Sequence, residues 1–202
     1  MTNLRKITSL FAALAFAMSL SLSAFASEAE NFVKDKHTEL SALLSKAKSA
    51  EDKKALDRAM DGAFDYEYLA HETLKDSWDQ RTPAERSEFT NLLKDLVRNA
   101  YRKNLKKTLG YSVDYKGESD GEAGKIVKTI AHNTKNAREE PVNVDYVVHQ
   151  VDGKWLIDDV VTEGSSLVHN YRSQFRRVIQ KHGFDELLKR MKNKRDKGGD
   201  VD

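Results

Sequence analysis

The hydrophobic period of this chain changes sharply from helix to strand at Gly110, and that change limits the folds open to it. Upstream, Phe89, Leu92, Leu93, Leu96, Val97, Ala100, Tyr101, Leu105 and Leu109 keep one apolar stripe at helical spacing. Thr82-Pro83-Ala84-Glu85 opens this helix. Thr82 is the N-cap, proline takes the first helical position, and Glu85 completes a capping box. From Pro83 to Leu109 such a helix runs roughly 40 Å at ~1.5 Å per residue. Downstream, the period is two. Tyr111–Tyr115 alternates, Lys125–Ala131 less cleanly, and Val142, Val144, Tyr146 and Val148 share one face of a third run. Asp152-Gly153 is a hairpin turn signal, and Trp155–Val161 is the return strand. Short connections between four such runs predict an antiparallel meander.

More helix lies on both sides. Phe32, Val33, Lys36, Leu40, Leu43, Leu44 and Ala47 recur at helical spacing, a polar bend spans Ser49–Lys54, and Leu56–Met60 reads as a short helix. Phe64, Tyr68, Leu69, Leu74 and Trp78 form another segment. After the sheet, Ser165 or Ser166 caps a helix burying Leu167, Val168, Tyr171, Phe175, Val178 and Ile179. Gly183 ends it, and Phe184, Leu187, Leu188 and Met191 make a last amphipathic turn or two. The fold class is α+β, an antiparallel meander sheet wrapped by N-terminal and C-terminal helices.

The first 26 residues stand apart. Arg5 and Lys6 precede an uncharged, mostly apolar run from Leu10 to Leu22, and Ala24-Phe25-Ala26 supplies a small-x-small cleavage site, so residues 1–26 read as a signal peptide cut before Ser27. The run is short for a bilayer span, which needs ~20 apolar residues. The chain is thus expected to be exported. It has no cysteine, which removes disulfides, thiolate chemistry and lipid attachment through cysteine. Of 34 basic residues the leader holds two, and it holds none of the 32 acidic ones, so the remainder is neutral. A neutral domain lacks the basic field that general nucleic-acid binding needs. Residues 27–192 suit one domain, and residues 193–202 form a charged tail.

No catalytic motif is present. Gly117, Gly121 and Gly124 have no phosphate-loop spacing, and Gly164-Ser165-Ser166 lacks the second glycine of a nucleophile elbow. The six histidines are scattered. His149 and Asp145 are four residues apart on one strand, roughly 13 Å, too far for a direct dyad. Asp158 and Asp159 point to opposite faces, with Asp159 expected beside Trp155, Ile157 and Val161. It reads as a carboxylate bonded to nearby backbone or arginine rather than a general base, because no His or Tyr partner can be placed beside it.

Several segments resemble one family. They are Phe64-Asp65-Tyr66-Glu67-Tyr68-Leu69-Ala70 with Trp78, Thr82–Arg86 with Phe89, Pro141–Tyr146 followed by Asp152-Gly153-Lys154-Trp155, and above all Asp159 through Phe175. Together they look like the MlaC family, also called the toluene-tolerance family of periplasmic phospholipid carriers, over about Phe32 to Met191. The resemblance implies a nuclear-transport-factor-2-like sheet with extra helices and an apolar pocket for phospholipid acyl chains. It implies a periplasmic carrier, not an enzyme, with no metal and no cofactor beyond the lipid cargo. The implied partners are an inner-membrane ABC transporter complex with its lipid-binding periplasmic subunit and an outer-membrane lipoprotein–porin complex, between which lipid is shuttled to maintain outer-membrane lipid asymmetry. Two positions depart from the pattern: Ser165 stands where a branched apolar residue is common, and Lys75 where a glycine often follows the leucine.

On that reading the expected pocket wall is Val144, Tyr146, Val148, Trp155, Ile157 and Val161 from the sheet, Phe89, Leu93, Leu96 and Tyr101 from the long helix, and Leu167 and Tyr171 from the final one. Arg172 is expected to pair with an acid near the mouth or to lie on the surface. Two other readings make different demands. An enzyme on the same fold, with Asp159 or Asp145 as base, requires a carboxylate in the pocket. A plain interaction module requires a solid core. A carrier for another lipid is a variant of the first reading.

Overall fold

A computed structural model describes residues 27–197, so the expected signal peptide and residues 198–202 of the tail lie outside the described residues. The first five α-helices each begin where a short polar side chain satisfies free N–H groups. Ser27 caps α1 (Glu28–Lys46), accepting from Glu30 N. Ser49 and Asp52 form a capping box at the start of α2 (Ala50–Asp61), so the stretch expected to bend is helix, with its charges outward and Leu56 and Met60 buried. Asp65 caps α3 (Tyr66–Leu74), which ends in a 3-10 turn, Lys75–Ser77. The Thr82–Glu85 capping box opens α4 (Pro83–Thr108) as expected.

The sheet follows in chain order: β1 (Tyr111–Gly121), β2 (Gly124–Asn133), β3 (Val142–Val151), β4 (Lys154–Thr162) and a two-residue β5 (Ser165–Ser166), every neighbour antiparallel. β5 is a strand beyond the four expected. At the β3–β4 turn Asp152 and Gly153 both have positive φ, 50° and 75°, as a type I′ hairpin requires. Glu163 and Gly164, at 49° and 75°, make the second tight turn that folds β5 back. Ser166 then caps α5 (Leu167–His182), and Gly183 separates it from α6 (Phe184–Lys197). The last helix is longer than the expected turn or two and includes residues 193–197, held by buried Phe184, Leu187, Leu188 and Met191.

Two apolar clusters hold these elements together. The larger joins α3, the first half of α4, α5 and α6 to Val127, Val148 and Ile157 of the sheet. Phe89 meets Phe175 edge to face, centroids 5.5 Å apart. The smaller joins α1, α2 and the far end of α4 through Leu40, Leu56, Met60 and Leu105. Residues 63–65 run beside β4: Asp65 N donates to Ile157 O (3.0 Å) and Ile157 N to Ala63 O (2.8 Å). No helix among the described residues is long and apolar enough to cross a membrane.

Candidate functional site

The second half of α4 stands off the sheet. Val97, Ala100, Tyr101 and Asn104 recur every three or four residues, on one helical face, along a cleft between α4, α5 and the sheet. One lobe, of ≈ 450 Å³, reaches toward α5 and α6 past Phe64, Leu167, Tyr171 and Gln174. The other, of ≈ 300 Å³, runs under the sheet past Leu105, Val113, Ala131, Val142, Val144 and Tyr146. Tyr101, Asn104, Val160 and Thr162 belong to both lobes. Each volume falls within the range of small-molecule sites, about 300–1,000 Å³.

The waist is aromatic and uncharged. Phe64 meets Tyr101 edge to face at 5.3 Å. The Tyr101 hydroxyl donates to that of Tyr146. Burial pushes the Tyr146 phenol up to about 12 and raises that of Tyr101 well above its ordinary value, so both stay neutral at physiological pH. No carboxylate lines either lobe.

Five of the expected wall residues line the cleft: Tyr101, Val144, Tyr146, Leu167 and Tyr171. The rest do not. Phe89, Leu93, Leu96, Val148 and Ile157 are fully buried in the packed core, since the first half of α4 is covered by α3 and α6. Trp155 is half-buried against that same core. Val161 faces away from the cleft because β4 carries a bulge. The register passes from Val148↔Ile157 to Val147↔Asp159, leaving Asp158 unpaired and inverting every later side chain. Val160 and Thr162, opposite Tyr146 and Val144, take the inner face instead.

The bulge also moves Asp159 away from the Trp155 and Ile157 face. There Asp159 accepts from Val160 N (2.8 Å), Val168 N (3.1 Å) and the Ser166 hydroxyl, tying β4 to the start of α5. These bonds to backbone and a helix cap are the structural role expected for it. Arg172 binds Glu72 twice, through Nη2 to the carboxylate (2.9 Å) and Nε to the carbonyl (2.7 Å), joining α5 to α3. Ser165 lines the larger lobe and accepts from Asn170 Nδ2 (2.9 Å), while its neighbour Ser166 is the cap.

Alternation also concealed a histidine–aspartate pair. His149 Nδ1 lies 2.5 Å from Asp158 Oδ2, and His149 Nε2 lies 3.7 Å from Asp65 Oδ2. Asp158 is 1% exposed, and neither of its oxygens receives a hydrogen bond of ordinary geometry. These three residues bring ligand-type atoms within 4.8 Å of one another. The carboxylates face opposite nitrogens of one ring, however, which suits a ring held from both sides better than the shell of a single metal ion. The cluster holds residues 63–65 and α3 against β4. No motif in the sequence announces it, because Asp158 reaches His149 only through the bulge.

Among solved structures, the chain is similar to a phospholipid-binding protein from Ralstonia solanacearum, determined in complex with a phospholipid at 1.53 Å resolution. The TM-score is 0.72 at 21% identity, covering 85% of this chain and 99% of that one. That likeness establishes the fold, helices packed on an open antiparallel sheet. No curated protein matches the chain significantly. The family described as MlaC protein matches residues 34–193, nearly the whole described length, with every element that builds the cleft. This chain therefore belongs to the MlaC family.

Proposed function

We propose that this protein is a periplasmic phospholipid carrier that encloses acyl chains in the two-lobed cleft and shuttles lipid between outer- and inner-membrane complexes, so maintaining outer-membrane lipid asymmetry. One observation carries the reading: a cleft with an uncharged aromatic waist and no carboxylate in its wall, opened by the second half of α4 in a chain of the MlaC family. The Ralstonia relative of the same fold binds a phospholipid, which supports the same class of cargo here.

The energetics explain why such a carrier is useful. Two acyl chains carry about 30 methylenes, and exposing each to water costs ~0.8 kcal/mol, so an unassisted lipid faces a barrier on the order of 20 kcal/mol. A dry cleft lowers that barrier and needs no catalytic group. The enzyme reading fares poorly beside this, since Asp159 is occupied by Val160 N, Val168 N and the Ser166 hydroxyl and neither Asp145 nor Asp159 lines the cleft. Export follows from the leader, residues 1–26. The ABC transporter complex and the lipoprotein–porin complex are the docking partners on this reading.

The test is transfer between two vesicle populations separated by a filter that passes protein only. Addition of the protein should move labelled phospholipid from donor to acceptor in proportion to protein concentration. No transfer above the protein-free rate would defeat the proposal.

A further inference from the structure

The neutrality of the chain after its leader conceals a separation of charge. Residues 27–166 hold 22 basic and 27 acidic side chains, whereas residues 167–197, the α5–α6 hairpin, hold ten basic and three acidic. α5 has no acidic residue, and the acids of α6 are Asp185, Glu186 and Asp196. Two of these are engaged, Glu186 with Arg190 (2.9 Å) and Asp196 with Arg195 (2.8 Å). Arg172 is bound to Glu72 of α3, and Lys192 to Glu88 of α4. Arg176, Arg177 and Lys181 are different. All three are exposed in the last two turns of α5, and no side-chain ion pair or hydrogen bond to a described residue holds any of them.

These charges are placed beside the cleft. Asn170, Gln174, Arg177 and Lys181 recur every three or four residues, along one ridge of α5. Asn170 and Gln174 line the larger lobe, and Arg177 and Lys181 continue the ridge into solvent. The face carries charge without an apolar anchor: the exposed large hydrophobic residues are Leu109 and Val151, and neither belongs to the hairpin. A protein interface centres on buried aromatic or aliphatic anchors within a polar rim. A bilayer with anionic headgroups needs only clustered basic side chains, which its surface potential attracts. The acidic excess of residues 27–166 is repelled by the same surface, which favours one orientation.

We infer that Arg176, Arg177 and Lys181 dock the α5–α6 hairpin on a bilayer carrying anionic phospholipid headgroups, with the larger lobe beside the membrane. The inference concerns attachment, and it holds whatever the cleft contains.

The experiment sediments the protein with sucrose-loaded vesicles of phosphatidylcholine alone, or of phosphatidylcholine and phosphatidylglycerol in equal parts, over a series of salt concentrations. Binding should be confined to the anionic vesicles and should fall as salt rises, since screening limits exposed charges to about 8 Å at physiological ionic strength. The triple variant Arg176→Gln, Arg177→Gln, Lys181→Gln should bind on the order of a hundredfold more weakly, about fivefold for each charge removed. A control triple of the same net charge, Lys46→Gln, Lys53→Gln, Lys54→Gln, changes exposed residues of α1 and α2 and should bind nearly as the wild type does. The charge-conserving triple Arg176→Lys, Arg177→Lys, Lys181→Arg should do so too, and its failure to bind while it melts like the wild type would overturn the inference. Equal losses in the two glutamine triples, or equal binding to the two kinds of vesicle, would also overturn it. So would a wild type that stays in solution at low salt, a result pointing instead to an acidic protein surface as the occupant. None of these outcomes bears on the filter-separated transfer assay, whose failure counts against the carrier reading alone.

Discussion

Val144 and Ile157 share the inner face of the sheet, yet a tryptophan should do different things at each. Val144 borders the apolar lobe, so Val144→Trp has open volume to enter. Bound lipid should fall while the melting temperature stays within a few degrees, measured by lipid extraction beside a thermal melt. Ile157 is 1% exposed within packed core. Ile157→Trp should cost about 1–3 kcal/mol by overpacking, measured by urea unfolding. Equal stability losses in the two variants would mean that Val144 faces no usable space. Asp158 supplies a pH test. Burial, the largest influence, pushes its carboxyl up to about 7, opposed by His149 and reinforced by Asp65 and Asp159. The folded state then holds this proton more tightly than the unfolded chain. The contribution is fully present below the ordinary carboxylate range, near pH 4, and is lost as pH rises through about 7. Unfolding free energy should therefore decline across that interval, and Asp158→Asn should flatten the decline. A variant whose pH profile overlays that of the wild type would contradict this.

At the scale of elements, the helix starts and the β3–β4 turn were legible because each rests on local chemistry: Thr82 with Glu85, and Asp152-Gly153. The cleft-facing side of β4 was not legible. Strict alternation places Val161 inward, and the one extra residue at Asp158 reverses that choice for Val160 and Thr162. A bulge depends on what packs against the strand, here residues 63–65 and His149, and leaves no periodic trace. The stripe on α4 was read correctly as apolar, but a stripe does not tell a packed half from an open one. Phe89, Leu93 and Leu96 meet other helices, whereas Tyr101 meets space. Polar wall residues such as Thr129, Asn104 and Gln174 carry no hydrophobic periodicity and so leave no trace in an apolar pattern. One departure from the family pattern gains a structural meaning. Lys75, at the end of α3, has φ 46°, a conformation that favours glycine. Its ammonium pairs with Glu72 at the surface, where such a pair contributes at most ~1 kcal/mol. Relief of about 1–3 kcal/mol of backbone strain should outweigh that pair, so Lys75→Gly should raise the urea midpoint. A lowered midpoint would show that the pair matters more than the strain.

For the whole molecule, the order of helices, meander and helices was evident from periodicity, and the resemblance at Asp159–Phe175 pointed to the family that residues 34–193 match. What the sequence left open was whether sheet and helices close on a solid core or part around a cleft. The molecule does both: its core lies where α3, α5 and α6 cover the first half of α4, and the cleft opens where only the second half faces the sheet. This division makes the carrier reading physically coherent, since the core can hold the fold while the cleft is filled and emptied. The most direct measurement is native mass spectrometry of protein purified gently from its own cells, followed by organic extraction. The account predicts a mass excess matching one phospholipid, released on extraction, and absent or much reduced in Val144→Trp. Protein that carries no lipid, and that takes none up from vesicles, would contradict it.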